Sequence, residues 1–140
     1  MDLNETYDFL RQPREKEGVI RRKEMQRDEL RACLLPKAVR YDTDRVQSSP
    51  KDTMADVIAR VDELDREIEQ LKQEKARLLM EISDAIEQLD SDREKLALTA
   101  FYIKGLSMSE VADTAHYTVR RGYQIRKQGV EHLTEVLQHD

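Results

Sequence analysis

The chain has no tryptophan, two phenylalanines, five tyrosines and one cysteine in 140 residues. So few aromatics are thin material for a large globular core and suit solvated helices around a modest packed module. Cys33 has no second cysteine to pair with, which fits a reducing compartment. With no histidine near it in sequence, it reads as a small buried residue rather than a nucleophile. Four glycines and three prolines exclude a collagen-like or loop-rich chain. No apolar run approaches the roughly 20 residues that span a bilayer, and MDLNETYDFL has no basic stretch leading into an apolar one. Neither a membrane span nor a secretion signal is therefore expected. Also missing are a phosphate-cradling glycine loop, strand context for a nucleophile elbow, and zinc-type spacing among His116, His132, His139 and Cys33. No metal, cofactor or catalytic residue is expected, and the chain reads as a non-enzyme.

Charge is abundant and unevenly placed. The formal net charge is −5. Residues 1–53 hold 12 Lys/Arg against 11 Asp/Glu, residues 54–91 hold 5 against 11, and residues 92–140 balance at 7 and 7. Within the last segment, Arg120, Arg121, Arg126 and Lys127 face a single acid, Glu131, between 116 and 133. The acidity belongs to the middle of the chain and a basic stripe lies near its end. Attraction to phosphate is local, so an acidic total does not exclude DNA as a partner.

The spacing predicts an all-α chain in three segments: 1–53, 54–90 and 91–140. The first opens irregularly around Pro13 and continues as a helix, REKEGVIRRKEMQRDELRACLL, that ends before Pro36. A polar connector, YDTDRVQSSP, follows. Ser49 as N-cap, Pro50 at the first helical position and Asp52 three residues after the cap then open a long second helix, expected to stop near Asp90. Its apolar positions run Val57, Val61, Leu64, Ile68, Leu71, Leu78, Ile82, Ala85 and Leu89, a heptad repeat with Lys75 as a polar interruption. β-Branched residues at one core position and leucine at the other suit a parallel dimer, with Arg60 facing Asp65 and Glu67 facing Lys72 of a second copy. This favours a homo-oligomer, dimer or higher, built on Val57, Val61, Leu64, Ile68, Leu71, Lys75, Leu78 and Ile82. The other use of the same face is intramolecular, with the first helix folded back on the second.

Ser91 with Glu94 caps a helix through DREKLALTAFYIK, which Gly105 ends; Ser107 with Glu110 caps the next, and Leu106 is placed to staple against Val111. Then comes the pattern of a helix-turn-helix. Val111 and small Ala112 precede the turn, His116 stands in it as a left-handed residue, and Tyr117 and the N-cap Thr118 open the last helix. Ile125 and Leu133 are expected to anchor that helix on Leu96, Ala100, Ile103 and Val111. Thr118, Arg120, Arg121, Gln124, Lys127 and Gln128 are left as the candidate DNA-reading residues. Arginine can bond guanine bidentately, glutamine can pair with adenine edges, and lysine neutralises phosphate. Gly122 stands where an aliphatic anchor is usual, and Gly122 and Gly129 each weaken the helix by up to ~1 kcal/mol relative to alanine.

Residues 92–137, with FYIKGLSMSEVADTAHYTVRRGYQIRKQGVEHL, resemble the region-four DNA-binding module of bacterial sigma factors. Together with YDTDRVQSSPKDTMADVIARVDELDREI upstream, they are similar to phage and prophage transcriptional regulators of the RinA and ArpU kind. The resemblance implies operator binding on double-stranded DNA, activation of phage late genes in a bacterial host cytoplasm, and contact with RNA polymerase as a further partner. Two other readings stay open. One is a sigma-like adaptor that mainly binds polymerase; the other is a coiled-coil scaffold that never meets DNA.

Overall fold

The computed structural model describes residues 1–35 and 50–139, the side chains of the second stretch from residue 52 onward. Among these described residues five α-helices follow in order: α1 (Leu3–Ala32), α2 (Pro50–Glu87), α3 (Asp92–Leu98), α4 (Met108–Ala115) and α5 (Val119–Gln138). No strand occurs among the described residues, as the all-α reading requires. The chain divides into two compact units, Met1–Glu17 with Glu74–Asp140, and Gly18–Gln73. These units cut across both long helices, whereas composition and periodicity suggest boundaries at 53/54 and 90/91. Most of the connector, with the Ser49 cap, lies outside the described residues.

α1 starts well before the place its sequence suggests. Asp2 caps it: its carboxylate accepts the Glu5 amide at 2.8 Å, and Glu5 returns a longer bond to the Asp2 amide at 3.5 Å. Pro13 is buried within the helix. A proline inside a helix removes one backbone donor and costs about 3 kcal/mol, so packing of the flanking turns has to offset it. Leu10 (1% exposed) supplies part of that packing in a core with Ile82, Ile86 and Leu133. Cys33, expected to be buried, is exposed in the turn after α1.

The second unit is a pair of antiparallel segments, one from each long helix. Lys23 bonds Glu67 at 3.0 Å, Arg27 and Arg31 share Asp65 at 3.1 and 3.0 Å, and Lys72 reaches Glu24 at 3.4 Å. Residue numbers rise along one segment as they fall along the other. Lys23 holds the Glu67 carboxyl below its usual range through their hydrogen bond. Each pair is partly solvated and therefore screened by water; together they fix register more than stability. Ile20 and the heptad residues Val61, Leu64 and Ile68 are buried in this unit, all 6% exposed or less.

Within the single chain these charges pair differently from the arrangement expected across a dimer. Asp65, Glu67 and Lys72 take partners on α1 of the same chain, and Arg60 pairs with Glu63 one turn away. Of the candidate oligomerisation residues, Val61, Leu64, Ile68 and Ile82 are buried within the single chain, while Val57, Leu71, Lys75 and Leu78 are half-buried. Lys75 bonds Glu17 at 2.7 Å. A 54–89 peptide freed of α1 exposes the heptad face and is expected to self-associate, whereas the intact chain is expected not to assemble through these residues. Sedimentation of the peptide and the full chain checks this, and an intact chain whose assembly is abolished by Leu64→Lys would contradict it.

In the other unit, α5 crosses both α3 and α4 through its two glycines. A Cβ on Gly129 would lie 3.3 Å from Leu98 Cδ1, and one on Gly122 would lie 3.2 Å from Met108 Cε and 3.3 Å from Tyr117 Cε1. The seven-residue interval puts both glycines on one helix face. Gly122 therefore marks a close approach whose volume Met108 and Tyr117 already fill. Around it Ala97, Ala100, Val111 and Ile125 form one apolar cluster, with Leu106 and Tyr117 against it. Leu98, Val130 and Leu133 join α2 residues in the other. Leu96, an expected anchor, is 43% exposed. The inward positions of α3 are Glu94, Ala97 and Leu98, one helical stripe at spacings of three and four.

Candidate nucleic-acid interface

α4 is fastened at its start by a complete capping box. Ser107 accepts the Glu110 amide at 3.2 Å, and Glu110 accepts the Ser107 amide at 3.0 Å. Donation from the Ser107 backbone amide, and secondly from its hydroxyl, holds the Glu110 carboxyl below its ordinary range. The helix ends at His116, whose backbone is left-handed at φ 62°, ψ 46°. The Tyr117 amide donates back to the Ala112 carbonyl at 3.1 Å. Thr118 then caps α5 by accepting the Arg121 amide at 3.1 Å. Two helices are thus joined by a three-residue turn, each end closed by a side chain or a left-handed residue.

That turn determines which side of α5 faces water. Gly122, Ile125, Gly129, Val130 and Leu133 are buried, so the residues on the opposite side stand outward. All six candidate DNA-reading residues, Thr118, Arg120, Arg121, Gln124, Lys127 and Gln128, are exposed and lie within the first three turns. Arg121 Nη1 donates to Gln124 Oε1 at 3.2 Å, which aligns two of them along the face. Thr118 spends its hydroxyl oxygen on the cap, so its part is to position the helix start. The backbone of α5 also presents its first amides at this end, where a helix favours anions.

Arg93 belongs to this neighbourhood, although nothing in its local sequence marks it. It lines a cleft of about 420 Å³ with Leu96, Ala115, His116, Tyr117 and Arg121. Burial raises the Tyr117 hydroxyl above its ordinary pKa, while Arg93 and Arg121 oppose the shift. Tyr123 is 50% exposed. The Arg126 guanidinium carbon lies 5.1 Å from the Tyr123 ring centroid and 4.7 Å from that of Phe101. Arg126 is thus half-buried rather than part of the open basic stripe.

A second ionisable pair braces the far half of α5. Ser91 accepts the Glu94 amide at 3.3 Å, but Glu94 returns no bond to that cap. Glu94, 7% exposed as a residue, instead places its carboxylate against His132 Nδ1 at 2.8 and 3.0 Å. That bond raises the His132 pKa above the ordinary 6.5 against the opposing effect of burial, and Glu135 and Glu131 add to the rise. The folded pKa exceeds the unfolded one, so the pair's contribution is fully present below about pH 6.5 and is lost as pH rises through the raised value. Denaturant midpoints measured from about pH 5 to about pH 9 should show that falling limb. His132→Gln should flatten it.

Among the described residues no group of histidine, cysteine or carboxylate side chains could hold a metal ion. No helix among them is long and apolar enough to cross a membrane. In comparisons with protein-family models, curated proteins and solved structures, nothing matches this chain.

Proposed function

We propose that the chain is a sequence-specific DNA-binding protein that inserts the start of α5 into the major groove and acts as a transcriptional regulator of the phage type. One observation carries the reading. The capped turn buries one face of α5 and leaves Arg120, Arg121, Gln124, Lys127 and Gln128 together on the other. Arginine and glutamine are the side chains that bond guanine and adenine edges bidentately, and lysine suits the flanking phosphates. Held at one end of a capped helix, they need little ordering to enter a groove. The acidic stretch 54–91 repels DNA and would confine contact to this end.

The resemblance to RinA and ArpU regulators supports the finer part of the proposal, activation of phage late genes. Pairing of two readers on two half-sites would need a surface other than the closed heptad face, or exchange of α1 between chains. Selection of duplexes from a random pool by the full chain tests the core reading. A recurrent motif is expected, and a selected pool indistinguishable from the input would overturn it. A polymerase pull-down without DNA separates the adaptor reading from direct groove recognition.

A further inference from the structure

Away from the α5 reading face, α1, the stretch after α3 and α5 meet around a cleft of about 250 Å³ lined by Tyr7, Arg11, Arg14, Phe101, Tyr102 and Arg126, with Leu10 beneath. All of these residues belong to one compact unit. Their arrangement is unusual in its charge. Three guanidiniums line the space, and no carboxylate lines it with them. Arg11 has a partner in Asp8 at 2.8 Å, an exposed pair. Arg14 and Arg126 have no carboxylate partner among the described residues. Each instead stands over the Phe101 ring, with guanidinium carbons 4.8 and 4.7 Å from its centroid. Arg126 Nε is buried with no hydrogen-bond acceptor.

The local backbone explains how Phe101 and Tyr102 arrive there. After Leu98 the helix widens into a π-helical stretch, Thr99–Ile103, closed by a bond from the Lys104 amide to the Thr99 carbonyl. The extra residue per turn rotates consecutive aromatics into one region, where Phe101 and Tyr102 sit edge to face with centroids 4.8 Å apart. Such insertions are frequent at functional sites. Burial holds the Tyr102 hydroxyl above its ordinary pKa, so it stays protonated as a donor.

We propose that this cleft is a phosphate-binding site, with Arg14 and Arg126 as its principal ligands and Arg11, Tyr7 and Tyr102 around them. Cation–π contact with Phe101 orients two guanidiniums while leaving their planar donor forks to an oxyanion. A carboxylate brings one charge and two oxygens, which a single fork satisfies. A phosphate ester brings nearly two charges and three strong acceptors, the better match to three arginines. The space accommodates a phosphate with a short attached group and is too small for most drug-sized ligands. The site is independent of the α5 reading face and extends the chain's recognition beyond it. Its phosphate can come from a DNA backbone or from a free phosphorylated small molecule.

Calorimetric titration of the full chain with inorganic pyrophosphate tests the site. Saturable binding is expected, weakened about tenfold or more by Arg14→Gln with Arg126→Gln and retained in Arg120→Ala with Arg121→Ala. Arg14→Lys with Arg126→Lys keeps charge and bulk but loses the forks, and is expected to weaken binding even where the glutamine pair does not fold. Absence of pyrophosphate binding, its persistence in the lysine pair, or its loss in the Arg120/Arg121 variant would each overturn the proposal. Repeating the titration with saturating duplex identifies the source. Exclusion of pyrophosphate by duplex points to the DNA backbone, and unchanged binding points to a free phosphate ester. Pyrophosphate binding by a chain that binds no duplex would leave this site standing and remove the DNA-reading proposal alone.

Discussion

Replacing Arg120 and Arg121 together by alanine is expected to lower affinity for a selected duplex by on the order of a hundredfold or more, without loss of fold. A good bidentate base contact contributes about 1–3 kcal/mol of discrimination, and both arginines stand fully outside the core. The cap is spared, because Thr118 accepts the backbone amide of residue 121 and not its side chain. Alanine is also the better helix former, so thermal stability should hold or rise slightly. For every phosphate that the variant leaves without a neutralising cation, the slope of log affinity against log salt falls by roughly 0.9. Fluorescence anisotropy at several salt concentrations reads both effects together. Undiminished affinity in the double variant would remove these residues from the interface and, with them, the major-groove reading.

At Gly122, filling the position with the aliphatic residue usual in such turns is expected to destabilise the chain. Helix propensity alone argues the other way, since replacing glycine gains up to ~1 kcal/mol. Yet the added Cβ would meet Met108 Cε at 3.2 Å and Tyr117 Cε1 at 3.3 Å. Those contacts are tight enough that the neighbours have to move. Alanine needs a small shift of a flexible methionine end and should be close to neutral. Leucine has to displace the Tyr117 ring or separate α4 from α5, and overpacking of this kind costs about 1–3 kcal/mol. Denaturant midpoints should therefore fall along the series alanine, valine, leucine. Met108→Ala should recover part of the loss in Gly122→Leu, since it removes the nearest atom, while lowering stability in the Gly122 background. A leucine variant as stable as the parent would show that the crossing is looser than these distances require.

The grounds for these two effects differ in how visible they are in the chain. The Thr118 cap, the Ser107–Glu110 box, the Gly105 stop and the left-handed His116 each involve residues within six of one another. Such bonds follow from residue type and spacing alone, and the structure contains all of them. The exposed side of α5 was legible for the same reason: once the helix start is set, a 3.6-residue period assigns the outward positions. Gly122 misleads because its value lies in what is absent, a side chain that Met108 and Tyr117 replace from 14 and 5 residues away. Pro13 misleads in the opposite sense. Its local rule ends or kinks a helix, while a capped start at Asp2 and burial against residues more than 70 positions later maintain α1.

The heptad face shows most plainly where local spacing stops being informative. Period and amphipathicity are properties of one strand of sequence, so α2 and its apolar stripe could be read directly. The partner of that stripe could not be, because any helix with complementary apolar and charged positions satisfies the same pattern. The fold brings α1 to it through the pairs Lys23–Glu67 and Arg27–Asp65. The bond between Glu94 and His132 and the convergence of Arg14, Phe101 and Arg126 are of the same kind. All join residues 25 to 87 apart, and no spacing rule reaches that far. Helix identity, caps and the outward basic stripe thus rest on short-range bonding that the residues carry with them. Which apolar faces meet, which charges are neutralised, and which arginines stay unpaired depend on the chain returning to itself.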